Sequence, residues 1–312
     1  MKLHKKLLCF AVLLFCAPCA WAREQVVPVV KIVDHVALNA TAEGIGEVLA
    51  ASSVGSRIES AQGNGAMALQ IAQKIVSGNR PVAVAIGTVA AQSLAKCASR
   101  SPKPMAVVYS SVTDPVGAGL ATLENVTGVS NFVPLRPQIE LFKKLQPHLA
   151  TIGVPHNPGE ANSVAIIQAL GPICEEMGIG LVVRPATRTA EMPQAAAELA
   201  RRVDAIFVSN DNTALAALAA IVGAAELQGI PVYVSDTDAL CCGALAALGP
   251  NQREIGRQTG RMVLRILNGE PPSSVPPEGV ESMELAINLS VAERLGIVVD
   301  DDLIAAAAKV RR

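Results

Sequence analysis

The chain has 312 residues, 51% of them hydrophobic and 17% charged, with a formal net charge of −1. That length allows two lobes of ordinary size, and that apolar content excludes a disordered chain. The near-zero charge leaves no electrostatic footprint for a nucleic-acid partner.

The N-terminal residues have the three parts of a secretory signal. Lys2, Lys5 and Lys6 form a basic start, 7–15 an apolar core, and Ala20-Trp21-Ala22 a small-residue cleavage site. The apolar run is too short, and too soon followed by Pro18, for a membrane span. Cys16 follows Phe15 and Cys19 follows Pro18, so neither has the small preceding residue that a lipid acceptor needs. The sequence therefore predicts cleavage between Ala22 and Arg23, and a mature chain outside the cytoplasm with no stable membrane insertion. Beyond this segment Cys97, Cys174, Cys241 and Cys242 remain, with no zinc spacing and no neighbouring His. They read as small buried apolar residues, with no metal site.

In chain order, strands are predicted at 26–33, 57–60, 81–86 and 104–109, alternating with helices at 37–50, 65–77 and 88–97, the last capped by Thr88. A connecting helix spans 134–145. A second cycle runs strand 151–154, helix 163–177, strand 180–184, helix 191–201 and strand 204–208. An Ala-rich helix capped at 210–213 then leads to strand 231–235. A helix at 251–268 ends at Asn268-Gly269, ahead of Pro271 and Pro272. A strand at 283–289, a helix at 290–295 and an exposed or frayed stretch at 303–312 close the chain. Strands alternating with helices of this length imply α/β lobes with parallel sheets.

Catalysis has little to rest on. Gly63-Asn64-Gly65-Ala66-Met67-Ala68 fits G-x-G-x-x-A, but the acidic residue that a dinucleotide site needs some 20 positions on is missing from 83–91. No G-x-S-x-G, H-E-x-x-H or Walker loop occurs, and His35, His148 and His156 form no metal pair. Polar residues instead gather after the predicted strands: 60–62, Thr88, 110–114, 157–163, 210–212 and Asp236. In parallel sheets these carboxyl ends share one edge, and two lobes presenting such edges make a cleft for a small polar molecule. Within 151–170, the turn Asn157-Pro158-Gly159 precedes a helix that Asn162 or Ser163 can cap, with Glu160 at its electropositive end. Asn157 and Ser163 are its candidate contacts.

The chain resembles the substrate-binding proteins of ABC importers, specifically the tryptophan/tyrosine-type (TrpX) family. The resemblance covers nearly all of the chain after the signal. It rests on SSVTDPVGAGL (110–120), NVTGVS (125–130), NPGEANS (157–163), DNT (211–213), PVYVSDTDAL (231–240), GALAALG (243–249) and IGRQTG (255–260), with AQG at 61–63. It implies a type I periplasmic-binding fold of two lobes, each a parallel sheet flanked by helices, with the ligand between them. The first lobe would comprise 23–134 plus about 245–275, the second 135–244 plus about 276–300, with 301–312 as a tail. It further implies a periplasmic monomer that captures a small solute by hinge closure, without cofactor or catalysis. Its partners would be a membrane permease and that permease's ATPase.

By the same resemblance, Thr88 and Ser111 would offer hydroxyls to a ligand carboxylate. Asp236 first, then Asp211 and Asn157, would receive an α-ammonium group. Gln62 and His35 would line the far end, while Asp114 would either face the ligand or fix its own loop. His156 stands where the family usually has Tyr, Val89 where Pro commonly follows the Thr, and Asn39 where Asp is frequent. With Trp21 in the signal, few rings remain to stack on an aromatic ligand, so the ligand implied is an amino acid or similar small polar solute. Two other readings stand beside it: a ligand sensor of the same fold coupled to a membrane receptor, and a secreted α/β hydrolase.

Overall fold

The computed structural model describes residues 25–281 and 283–312. The predicted signal and its cleavage site lie outside the described residues. The first half of the chain alternates β1 (Val26–Lys31), α1 (Val36–Ala51), β2 (Gly55–Ser60), α2 (Gly65–Ser77), β3 (Val82–Ile86), α3 (Thr88–Ala98), β4 (Ala106–Val112) and β5 (Val126–Ser130). These strands make a wholly parallel sheet in the order β2-β1-β3-β4-β5. Its central strands β3 (VAVAI) and β4 (AVVYSSV) are buried along their whole length, whereas the edge strand β2 (GSRIES) has no fully buried residue. Continuous apolar runs in the middle and mixed ones at the edge are what helices covering both faces of a parallel sheet require.

The second half runs α4 (Leu135–Leu145), β6 (Thr151–His156), α5 (Ala161–Glu176), β7 (Gly180–Pro185), α6 (Met192–Ala200) and β8 (Ala205–Val208). Then come α7 (Asn212–Ala216), α8 (Leu218–Glu226), β9 (Val232–Val234), β10 (Ala246–Gly249), α9 (Gln252–Leu267), β11 (Glu284–Asn288), α10 (Leu289–Leu295), α11 (Asp301–Ala306) and β12 (Lys309–Arg311). The second sheet has the order β12-β11-β10-β9-β8-β6-β7, parallel except between β10 and β11. Its two faces carry separate apolar clusters. On one, Phe142 stacks on Tyr233 at 4.0 Å between ring centroids and meets Phe207 edge-on at 5.1 Å. The large rings of this lobe are thus spent on its core.

Three segments connect the lobes: β5 to α4, β10 to α9, and the stretch before β11, which pairs with β5 through Glu278. The sheet topology puts β10 in the second sheet, so the chain re-enters the first lobe at Asn251, which caps α9 by accepting from Arg253 N (3.0 Å) and Glu254 N (3.3 Å). Segment 301–312 likewise carries a helix and an edge strand where a tail was expected. The IGRQTG stretch has a packing reason. A Cβ on Gly256 would lie 2.1 Å from Thr41 O, and one on Gly260 would lie 2.8 Å from Val48 Cβ. On the facing helix, a Cβ on Gly44 would lie 2.1 Å from Arg253 O. Glycines therefore let α9 seat against α1 backbone to backbone, which anchors the returning segment on the first lobe. Among the described residues no helix is long and apolar enough to cross a membrane.

Candidate functional site

The carboxyl ends of both sheets face each other across a cavity of about 280 Å³. The first lobe lines it with Ile32 and Val33 after β1, Gly63 and Gly65 at the start of α2, and Val89 in the first turn of α3. The second lobe contributes Asn157, Gly159 and Glu160 from the β6–α5 turn, Thr187 and Thr189 after β7, and Asn212 and Thr213 at the start of α7. No lining side chain is aromatic or cationic.

Glu160 organises the second lobe's wall. It sits at the N-cap position of α5 but makes no capping bond there; it reaches to the neighbouring α7. Its Oε2 accepts from Asn212 N (3.1 Å), Asn212 Nδ2 (2.7 Å) and Asn162 Nδ2 (3.2 Å), and its Oε1 from Thr213 N (3.0 Å) and Thr213 Oγ1 (2.5 Å). Asp211, the N-cap of α7, accepts from Ala214 N (2.8 Å), Asn157 N (2.6 Å) and Ser163 Oγ (2.6 Å). Two buried carboxylates thus satisfy the orphan N–H groups of one short helix and tie down the β6–α5 turn. Burial, reinforced by the charge of Glu160, pushes the Asp211 carboxyl up to about 7. Asn157 completes the lattice, donating to Thr213 Oγ1 (2.9 Å) and accepting from Gly159 N (2.9 Å).

This lattice also orients the contact between lobes. Because Asn212 Nδ2 faces Glu160, its Oδ1 must face the first lobe, where it lies 3.5 Å from His35 Nε2. His35 Nδ1 already accepts from Leu38 N (3.4 Å) at the start of α1, so the proton belongs on Nε2 and the ring is neutral. Burial lowers this imidazole to about 4, which keeps it neutral at ordinary pH. Opposite, Gly87 precedes α3 at φ +89°, and a Cβ there would lie 2.7 Å from Ile32 Cγ2. Gly87 is the cap of α3 and Thr88 its first helical residue, so the hydroxyl cap expected of Thr88 is absent. Among the described residues no side chain caps the first N–H groups of α3.

The sequence from 26 to 311 matches the family described as ABC transporter substrate binding protein. The chain belongs to that family. Among curated proteins it is 26% identical to the tyrosine-binding protein of Clostridioides difficile, over 85% of this chain and 79% of that one. Among solved structures, a conserved domain protein from Vibrio cholerae superposes with a TM-score of 0.88 at 35% identity, covering 93% of this chain and all of the other. An ABC domain from Streptococcus pneumoniae in complex with L-Trp superposes at 0.86 with 28% identity, over 92% and 99% of the chains. The ligand-free, open structure of a Clostridium difficile substrate-binding protein with adhesive properties also has 28% identity and the same coverage, but superposes at only 0.66. The fold is the type I periplasmic-binding fold.

In this substrate-binding protein the residues singled out from sequence fall into three groups. Asn157 lines the cavity, with Ser163 and Asp211 directly behind it. Thr88 is buried at the α3 N-terminus beside Val89, without a side-chain hydrogen bond among the described residues. The others lie elsewhere. Asp236 is buried after β9 and accepts from Gln252 Nε2, whose Oε1 accepts from Ser111 Oγ (2.8 Å) and Thr41 Oγ1 (3.1 Å). Asp236 and Ser111 therefore meet Gln252 at a crossover and do not line the cavity; burial pushes the Asp236 carboxyl up to about 7. A register shift in β4, with Ser111 at φ +53°, aims that hydroxyl at the crossover. Asp114 binds Gly117 N (2.9 Å) and fixes its own loop. Gln62 is exposed and donates to Asp34 Oδ2 (3.0 Å).

Sequence reasoning missed Glu160 as a wall residue, since its partners lie 52 and 53 positions away. It also missed Thr187 and Thr189, although they follow strand β7 as the other polar stretches follow theirs. Gln252 was read only as part of a helix. His156, standing where the family usually has Tyr, has a buried Nδ1 without a partner among the described residues, and burial lowers its pKa.

Proposed function

We propose that this protein is the periplasmic solute-capturing component of an ABC importer. By this reading its lobes close on an amino acid or a compound of similar size, and it hands that solute to a membrane permease driven by an ATPase. The observation that carries the reading is the cavity itself: about 280 Å³, lined from both lobes at the strand carboxyl ends. Its volume is at the small end for ligand pockets, which suits one small molecule. Closure as the working motion is supported by the two relatives of equal identity. The chain superposes far better on the L-Trp complex than on the open, ligand-free protein.

The amino-acid class is supported by the tyrosine-binding relative and the L-Trp complex together with the site's chemistry. A ligand carboxylate meets the free N–H groups at the start of α3, the electropositive end of that helix. An ammonium or hydroxyl meets the oxygens of Asn157, Thr187, Thr189 and Asn212 on the opposite wall. Lacking a lining ring, the cavity suits a small or aliphatic side chain better than a stacked aromatic one.

Native mass spectrometry of the purified protein, followed by thermal-shift screening of amino acids, tests this. A cognate solute at about 100 times its Kd raises stability by about 2.7 kcal/mol. An unchanged melting temperature with every amino acid removes the amino-acid reading, and turnover of a bound metabolite removes the binding-protein reading.

A further inference from the structure

A second cavity lies at the other end of the first lobe, at the amino ends of its strands. It has about 500 Å³ and opens between the C-terminal halves of α2 and α3, with Leu69, Val76, Cys97 and Pro102 among its apolar walls. Lys96, Arg100 and Lys103 stand around it. An adjoining hollow of about 210 Å³ shares Val76, Asn79 and Lys103 and adds Arg80 and Met105. Neither is lined by an acidic residue.

Surface cations elsewhere are of both kinds: among the described residues Arg57, Lys144, Arg201 and Arg202 meet no carboxylate, whereas others do. Lys74, Arg136, Arg184, Arg188, Arg253 and Arg257 each meet a carboxylate. Among the described residues Arg80, Lys96, Arg100 and Lys103 do not, yet all four gather at this groove. The last carbonyls of α3 do not compete for them, because Ser99 N, Arg100 N and Ser101 N already bond Ala95, Cys97 and Ala98 O. Burial raises the Cys97 thiol while the charges of Arg100 and Lys96 pull it down, so both cations act on the groove's interior.

An apolar slot rimmed by unpaired cations matches one ligand chemistry: a small anion with a hydrocarbon body. We propose that this groove is a second binding site, separate from the interlobe cavity, for an amphiphilic monoanion such as a medium-chain carboxylate. The groove lies wholly within one lobe, so its occupancy does not depend on lobe closure or on the solute between the lobes.

Cys97 supplies a local probe. Its alkylation by iodoacetamide, resolved by peptide mass with exposed Cys241 of the other lobe as reference, reports occupancy of the groove. Decanoate at about four times its Kd should slow Cys97 roughly fivefold, because the rate follows the unoccupied fraction, and leave Cys241 unchanged. Decan-1-ol should protect much less. A Lys96→Glu/Arg100→Glu variant of unchanged melting temperature should lose the protection, measured as a ratio within that variant. The proposal is overturned if decanoate does not protect Cys97, if decan-1-ol protects equally, or if charge reversal leaves protection intact. It is also overturned if Cys97 becomes protected without decanoate as protein concentration rises, which would place a second copy of the chain on the groove.

Discussion

The second lobe meets the interlobe cavity with a lattice of side chains, while the first meets it with methyl groups, glycine and the open end of α3. In the second lobe, Glu160, Asp211, Asn157 and Thr213 satisfy one another before any solute arrives. In the first, Ile32, Val33 and Val89 supply apolar surface, and α3 supplies backbone donors. The difference separates two tasks. A prebonded polar wall loses little entropy on binding and fixes where a ligand's polar groups must sit. On the proposed function, a plain wall with a helix N-terminus closes onto a charged ligand without rearranging side chains.

Glu160→Gln replaces an acceptor of five close donors by a group that must donate, leaving buried N–H groups unpaired. Urea unfolding should show a loss of roughly 3 kcal/mol or more, with a weakened solute Kd. Unchanged stability would mean the lattice is decorative. Gly256→Ala tests the seating of α9 on α1, remote from both walls. Overpacking against Thr41 O should cost about 2–3 kcal/mol while solute affinity per folded molecule stays the same.

Asp236→Asn tests the buried acid at the crossover. An Asp raised from 3.8 to about 7 holds its proton in the folded state. Its contribution is full below pH 3.8 and is lost as pH rises to about 7, at up to about 1.4 kcal/mol per pH unit. Asp211 acts in the same direction, whereas His35, lowered from 6.5 to about 4, acts oppositely between those values. The variant should flatten the pH–stability profile between 4 and 7 and add about 2 kcal/mol at pH 8. Because Asp236 lies behind Gln252, its solute Kd should not change; a collapse in affinity would return it to the ligand. Thr88→Val should have the smallest effect on stability, within about 0.5 kcal/mol, since the hydroxyl has no partner among the described residues. A loss of roughly tenfold in solute affinity by calorimetry would then report a direct ligand contact at the α3 end.

Several features were legible before any coordinates. The α2 and α4 boundaries follow from apolar periodicity and their flanking residues, and the buried runs of β3 and β8 follow from uninterrupted apolar residues. Strand β10 was not legible, because Ala246-Ala247-Leu248 is as good a helix as a strand until β9 and β11 flank it. Strand β5 hid inside NVTGVS, where Gly128 has φ +155° and a Cβ would lie 2.1 Å from Tyr109 O. The partner of Asp236 was not legible for a related reason. A polar residue after a strand announces a sheet edge but not which neighbour it meets, and Gln252 arrives from 16 positions away.

The sequence by itself determined two α/β lobes, their polar strand ends and the family, because periodicity, strand length and local motifs are short-range properties. Only the tertiary structure decided which of those polar ends face the cavity. It set Glu160 on the helix of another βα unit, turned Asn212 toward His35 and withdrew Asp236 and Ser111 to a crossover. Those assignments depend on contacts between residues 16 to 177 positions apart, and burial, which decides what a carboxylate can do, exists only once those contacts form.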